Sequence, residues 1–236
     1  MAKFGIGQPV PRLEDPRFIT GRGRYVDDID MPLQCYGVLV MSPHAHARIK
    51  NIDTAAAKAA SGVLAVLTGA DAEADKIGSL VPIMPEDMGG PKGYRTLRPI
   101  LSSGKVRAVG DRVAFVVAET LQQARDAAEL IAVDYEPLPA VVALEDAVKP
   151  GAPVIWDGAP DNVAVALMMG SKEATDAAFA GAKHVVSLKL VNNRVSANSI
   201  EPRAAIGQYH PDNDATRSTP PRRTRTGTAR MSPATC

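Results

Sequence analysis

Two histidines one residue apart, His44 and His46, are the first residues whose type and spacing could do chemistry. Alternate strand positions point to one face, so the pair could offer two imidazoles to one metal. A structural metal needs three or four ligands, and no third candidate lies nearby in sequence. The preceding Ser42-Pro43 marks a loop entering a strand, and a strand entrance is the plainer reading. Cys35 sits among apolar residues with no cation nearby to lower its thiol pKa. It reads as a buried, inert thiol. Gly5–Gly7 and the Gly21–Gly23 pair lack the preceding strand and following helix of a dinucleotide loop, so they read as turns. His184 reads as an ordinary strand residue, and Glu201 as an acid in a short polar break. No residue earns a catalytic, cofactor-binding or metal-ligating assignment from these patterns.

Charge adds one candidate and removes it. Arg217, Arg222, Arg223, Arg225 and Arg230 fall in residues 215–236, which hold no acid. The first 214 residues therefore carry 22 basic and 26 acidic groups, a net of −4 beneath the chain's overall +1. Five arginines could meet phosphates, yet they are mixed with Thr, Ser and Pro and have no aromatic stacking partner. Nucleic-acid binding is not expected.

The elements that would position such residues read as mixed helix and strand. The 236 residues are 45% apolar and 22% charged, a soluble globular composition for one large domain or two small ones. No apolar run reaches a membrane span, and the N-terminus has no signal-peptide core. Two cysteines so far apart fit a reducing compartment, so a cytoplasmic location is expected.

Residues 1–20 carry Pro9, Pro11 and Pro16 and read as an extended arm. Gln34–Ser42 reads as a strand buried on both sides, and Ala47–Ile52 as a second strand. Asp53-Thr54 caps an Ala-rich helix to Ala60, with Gly62 as its terminating glycine. Val63–Leu67 is a third strand, and residues 78–104 are loop-like.

Arg112–Glu119 is a strong strand, followed by a Thr120/Gln123 capping box. Leu121, Ala124, Ala128 and Ile131 recur at helical spacing, and Ala132–Tyr135 re-enters a strand. Beyond a Pro-punctuated crossover, Ser171–Gly181 reads as a helix, and Ala182–Val191 and Ala204–His210 as strands. The predicted fold class is α/β (α+β).

Four segments in a fixed order carry a resemblance. They are RLEDPRFITGRGRYVDDI (12–29), VLVMSPHAHARIKNIDTAAAKAASGVLAVLTGAD (38–71), VRAVGDRVAFVVAETLQQARDAAELIAVDYEPLPAVV (106–142) and HVVSLKLVNNRVSANSIEPRAAIGQY (184–209). Together they resemble the N-terminal part of the molybdopterin-binding large subunit of the xanthine dehydrogenase/aldehyde oxidase family. The nearest flavour is the aerobic carbon monoxide dehydrogenase large subunit.

The resemblance implies an N-terminal arm (1–17), an α/β hammerhead domain (18–135), a crossover linker (136–164) and the start of the first molybdopterin-binding domain (165–214). It implies hydroxylation of an aldehyde, a heteroaromatic or CO with water-derived oxygen. Electrons would pass to an iron–sulfur small subunit and an FAD-binding medium subunit. Molybdopterin would be the cofactor of the full-length member, with none expected to bind this chain stably.

Past Asp214 the pattern breaks. Where the family continues with a strand like TLYTSTQ, the chain reads ATRSTPPRRTRTGTARMSPATC. Codons allowed for residues 215–236, read two nucleotides on, can spell YTLYTSTQDAHGDRTHVARDV. A frameshift near Asp214 is therefore expected, with residues 215–236 an out-of-frame tail; the alternative is a genuine basic extension. The strands near 182–191 and 204–210 would then expose unpaired edges, and proteolysis would trim the chain back to about residues 140–165.

Overall fold

The computed structural model describes residues 11–192, 195, 198, 203–213 and 215–219. The chain divides into two compact units. One holds Gln34–Asn192, and the other holds Met1–Leu33 with Asn193–Cys236.

In the larger unit the elements run β1 (Tyr36–Met41), β2 (Ala47–Asp53), a short helix over Ala55–Lys58, β3 (Val63–Thr68) and a second helix over Gly69–Ala74. A two-residue ladder pairs Ser79–Leu80 with Arg98–Pro99. Then come β4 (Lys105–Val106), β5 (Arg112–Ala118), a helix designated α1 (Leu121–Glu129), β6 (Ala132–Pro137), a turn of helix at Leu144–Ala147, and α2 (Lys172–Gly181).

Two three-stranded sheets result, in the orders β1-β5-β3 and β4-β2-β6, and every pairing in them is antiparallel. The strand–helix–strand stretch 112–137 thus connects two different sheets, because β5 lies in the first and β6 in the second. The core lies between α1 and the first sheet. Ala57, Val66, Ala114, Val116, Ala127 and Ile131 form one buried cluster there, and Ala47, Val106 and Val113 form another beside it.

Helix α1 forms where its spacing predicts. Its face is built of small residues, Ala124 and Ala127, which lets it sit close to the sheet. Leu121 is more exposed than its spacing implied. Only half of the predicted capping box forms: Thr120 Oγ1 accepts from Gln123 N at 3.2 Å, and its hydroxyl donates to Gln123 Oε1 at 2.8 Å. The helix expected to reach Ala60 ends at Lys58 with Ala59 as its C-cap, and Gly62, at φ of +75°, lies in the turn that enters β3 instead of ending the helix.

Several expectations are corrected. The first strand is not buried on both sides: Leu39 and Met41 face out, since α1 covers only the opposite face. The expected strand at Ala182–Val191 makes no ladder and is exposed throughout, because no strand in the described residues lies beside it. The region 78–104 contains the short ladder and a 3-10 turn at Pro85–Met88. A helix at Gly69–Ala74 was not anticipated. Asp71 caps it by accepting from both Thr68 N and Thr68 Oγ1 at 2.7 Å, and these bonds hold its carboxyl below the usual range.

In the smaller unit the arm is not wholly extended. Asp15–Ile19 forms a short helix, favoured by Pro16 in its first turn and by Asp15, which Arg12 Nε meets at 2.9 Å. Phe18 and Tyr25 stack at 5.9 Å. Ile206–His210 (β7) pairs antiparallel with Ala215–Thr219 (β8), so the first residues past Asp214 form a hairpin with the preceding strand.

Candidate functional site

The His44/His46 segment joins β1 to β2, and the fold gives the two rings different work. His44 packs tilted against Tyr135, with ring centroids 4.8 Å apart. His46, buried at the start of β2, donates from Nδ1 to the Pro139 carbonyl at 2.8 Å. A carbonyl can only accept, so this bond fixes the tautomer and leaves Nε2 as an acceptor, enclosed and without a partner among the described residues. Beside them Ser42 is buried, its Oγ accepting from His44 N at 3.0 Å. Burial pushes the Tyr135 phenol up, against the opposing effect of a bond with Ser42. Among the described residues no group of three or more His, Cys, Asp and Glu could hold a metal ion.

The remaining sequence candidates disperse. Cys35 is exposed, a correction to the buried thiol: it precedes β1 with the parity of Leu39 and Met41, the face α1 leaves open. Gly21 takes φ of +67° in a turn, and Gly23 lies tight against the Phe18 ring. His184 lies in the unladdered segment. Gly5, Gly7, Glu201, Arg222, Arg223, Arg225 and Arg230 lie outside the described residues, while Arg217 contributes backbone to β8.

What the fold does assemble is packing and strapping. Leu39, Phe115 and Leu67 stand in one cross-strand row on the outer face of the first sheet. They line a groove of about 330 Å3 with Ala72, Ile77 and Leu101. Its charged rim is Asp71, Asp75 and Arg112.

In the 78–104 region Arg95 grips two acids, Glu86 at 2.5 Å and Asp87 at 2.7 Å. These bonds hold the Glu86 carboxyl below its ordinary range and draw Asp87 down to about 2.

The crossover is fastened rather than loose. The Arg107 guanidinium lies 4.3 Å over the Trp156 ring and donates from Nε to Ile155 O at 3.1 Å. Asn162 ties three backbone groups, and Tyr94 N donates to Ala164 O at 2.6 Å. Sequence reasoning missed these groups because their partners lie up to 70 residues away and share no period. The arrangement binds and positions; it contains no nucleophile paired with a base.

Comparison with known proteins places this geometry. Residues 20–139 match the family model described as aldehyde oxidase and xanthine dehydrogenase, a/b hammerhead domain. The chain is 39% identical over 209 residues to the carbon monoxide dehydrogenase large chain of Afipia carboxidovorans, covering 84% of this chain and 25% of that one. It resembles the crystal structure of quinoline 2-oxidoreductase from Pseudomonas putida 86 with a TM-score of 0.75 and 36% identity, over 89% of this chain and 26% of that one. It also resembles the Cu,Mo-CO dehydrogenase in its carbon monoxide reduced state, with a TM-score of 0.61 and 40% identity, over 76% and 23%. The chain thus spans about a quarter of the length of the relatives it matches.

Proposed function

The chain belongs to the aldehyde oxidase and xanthine dehydrogenase family of molybdenum hydroxylases, and from that premise we propose that it is the N-terminal quarter of a molybdenum-hydroxylase large subunit. The observation that carries the reading is the match to a carbon monoxide dehydrogenase large chain over 209 residues, which is longer than the hammerhead match at residues 20–139. The full protein would hydroxylate an aldehyde, a heteroaromatic carbon or CO with oxygen from water. It would pass the electrons to an iron–sulfur small subunit and an FAD-binding medium subunit.

In such an enzyme the molybdopterin supplies the oxygen transfer and accepts the electrons. The described residues of this chain do not fit that group. The groove on the outer sheet face is apolar but for Asp71, Asp75 and Arg112, the enclosed His46 Nε2 stands without a partner among the described residues, and no group of three or more His, Cys, Asp and Glu among them could hold a metal ion. We therefore derive no catalytic step here and assign this region a positioning role, with the cofactor held by later parts of the large subunit.

The off-frame reading of residues 215–236 favours a second reading. As written, the chain would be a catalytically inert fragment that at most contacts partner subunits. Both readings place the cofactor outside these residues, and molybdenum analysis of the purified 236-residue chain, with a dye-linked oxidation assay, tests that shared premise. A metal-free, inactive chain is expected; stoichiometric metal with turnover would overturn the positioning role.

A further inference from the structure

Residues 82–95 and 147–164 are two loops, each closed by one polar side chain. Arg95 reaches back across the first to the Pro82 carbonyl at 3.0 Å and to Glu86 and Asp87. Asn162 closes the second. Its Oδ1 accepts from Ile155 N at 3.1 Å, and its Nδ2 donates to the carbonyls of Ala147 and Pro153, each at 2.9 Å. Among the described residues the first loop makes no backbone hydrogen bond to either three-stranded sheet. Its one backbone bond to a distant segment runs from Tyr94 N to Ala164 O at 2.6 Å. The second loop meets the stretch from β4 to β5 through two side chains, Arg107 Nε on Ile155 O at 3.1 Å and Lys105 Nζ beside Asp157 at 3.4 Å.

The seam between the loops is built for close approach. The Tyr94 ring lies tilted on Trp156 with centroids 6.2 Å apart, and the Arg107 guanidinium lies over the same Trp156 ring. Gly158 faces the Tyr94 ring, which a Cβ there would overlap. Gly93 faces the Ala164 carbonyl, which a Cβ would overlap as well. Neither glycine has a left-handed backbone, so space and not a turn requires them. Met84 of the first loop and Ala159 of the second are buried. Segments with few ties to the main sheets open locally before the core does. A ring packed by both loops makes the opening of either one cost the other its contacts.

We propose that residues 82–95 and 147–164 form one latch that opens and closes as a unit, with the Tyr94 ring seated between Trp156 and Gly158 as its bolt. Without that ring the first loop loses its seat on the crossover, and the crossover keeps only Arg107 and Lys105. The sheets and α1 contribute no backbone bond to the seam and stay folded through the opening.

The test is hydrogen exchange by mass spectrometry on the whole 236-residue chain. Asn162→Gly keeps the left-handed backbone of that position and removes its three side-chain bonds. Asn162 bonds to nothing in 82–95, yet the variant should speed exchange there about tenfold, as well as in 147–164. Arg95→Ala, which bonds to nothing in 147–164, should speed exchange in that loop in return, since coupling is reciprocal. Strand β5 and α1 should stay protected over the same labelling times. Trp156 is the chain's single tryptophan, so its emission reports the seam directly. Gly158→Ala should expel the Tyr94 ring, shift that emission to the red and raise its quenching by acrylamide, with the circular dichroism spectrum unchanged. Faster exchange confined to the loop that carries the substitution would overturn the proposal. So would loss of protection in β5 and α1 together with the loops, or an unaltered Trp156 emission in Gly158→Ala.

Discussion

His46 is bound to the end of the second sheet twice: its carbonyl accepts from Leu138 N at 2.9 Å, and its Nδ1 donates to Pro139 O at 2.8 Å. The ring therefore closes the point where β6 gives way to the crossover. His46→Ala removes a buried ring and strands a partly buried carbonyl, so it should cost about 2–4 kcal/mol. His46→Asn, whose amide can still donate there, should recover part of the loss. Urea unfolding of the three proteins measures it; equal stability would show the clasp to be dispensable.

The Arg95 grip predicts a pH signature. Asp87 falls from 3.8 to about 2, and Glu86 is lowered, both chiefly by side-chain bonds to Arg95. A carboxylate whose folded pKa is depressed stabilises the fold above its unfolded pKa and loses that contribution as pH falls through the folded value. Arg95→Ala should therefore lower the melting temperature at pH 6, with the gap to the parent closing between about pH 4 and pH 2. A gap independent of pH would mean Arg95 acts through packing alone.

Gly62 stands at φ of +75°, and a Cβ there would press on the Gln123 side-chain amide. The amide is the free end of a flexible side chain and can move, but the left-handed backbone cannot relax. Gly62→Ala should cost about 1 kcal/mol, read as a fall in the urea midpoint at constant slope. Asn at this position should cost less than Ala.

The fastened crossover revises where a protease should stop. Arg107 on Trp156, the three bonds of Asn162 and the Tyr94–Ala164 bond hold the strap through residue 164. Limited digestion with a protease of broad specificity, such as proteinase K, should leave a protected fragment whose C-terminal boundary, by mass spectrometry, lies beyond residue 164. A boundary near residue 140 would instead make the crossover a loose linker.

These contacts explain what could be read from the chain. The stretch from Arg112 to Ile131 was legible because its signals are local: a β-branched run, a Thr N-cap and an Ala face at helical spacing. The resemblance supplied the hammerhead, and the family match bears it out. The strand at Ala182–Val191 was misread because alternation reveals a strand's faces but not whether a neighbour exists to bond its edges. Cys35 was misplaced for a related reason: an apolar run looks buried on both sides until one knows that α1 covers only one. The Thr68–Asp71 cap was visible in principle as a capping box with Asp in place of Glu. The Arg95 and Trp156 contacts had no local signal at all.

We propose that this chain is the opening part of a molybdenum-hydroxylase large subunit whose frame is broken near Asp214. Resequencing the coding DNA across codons 205–236 and onward tests it most directly. A break near Asp214 predicts that the shifted frame reads through TSTQ and stays open for hundreds of codons. Confirmation of the present frame, with the shifted one soon closed by stop codons, would contradict it and leave residues 215–219 as the true partner strand of Ile206–His210.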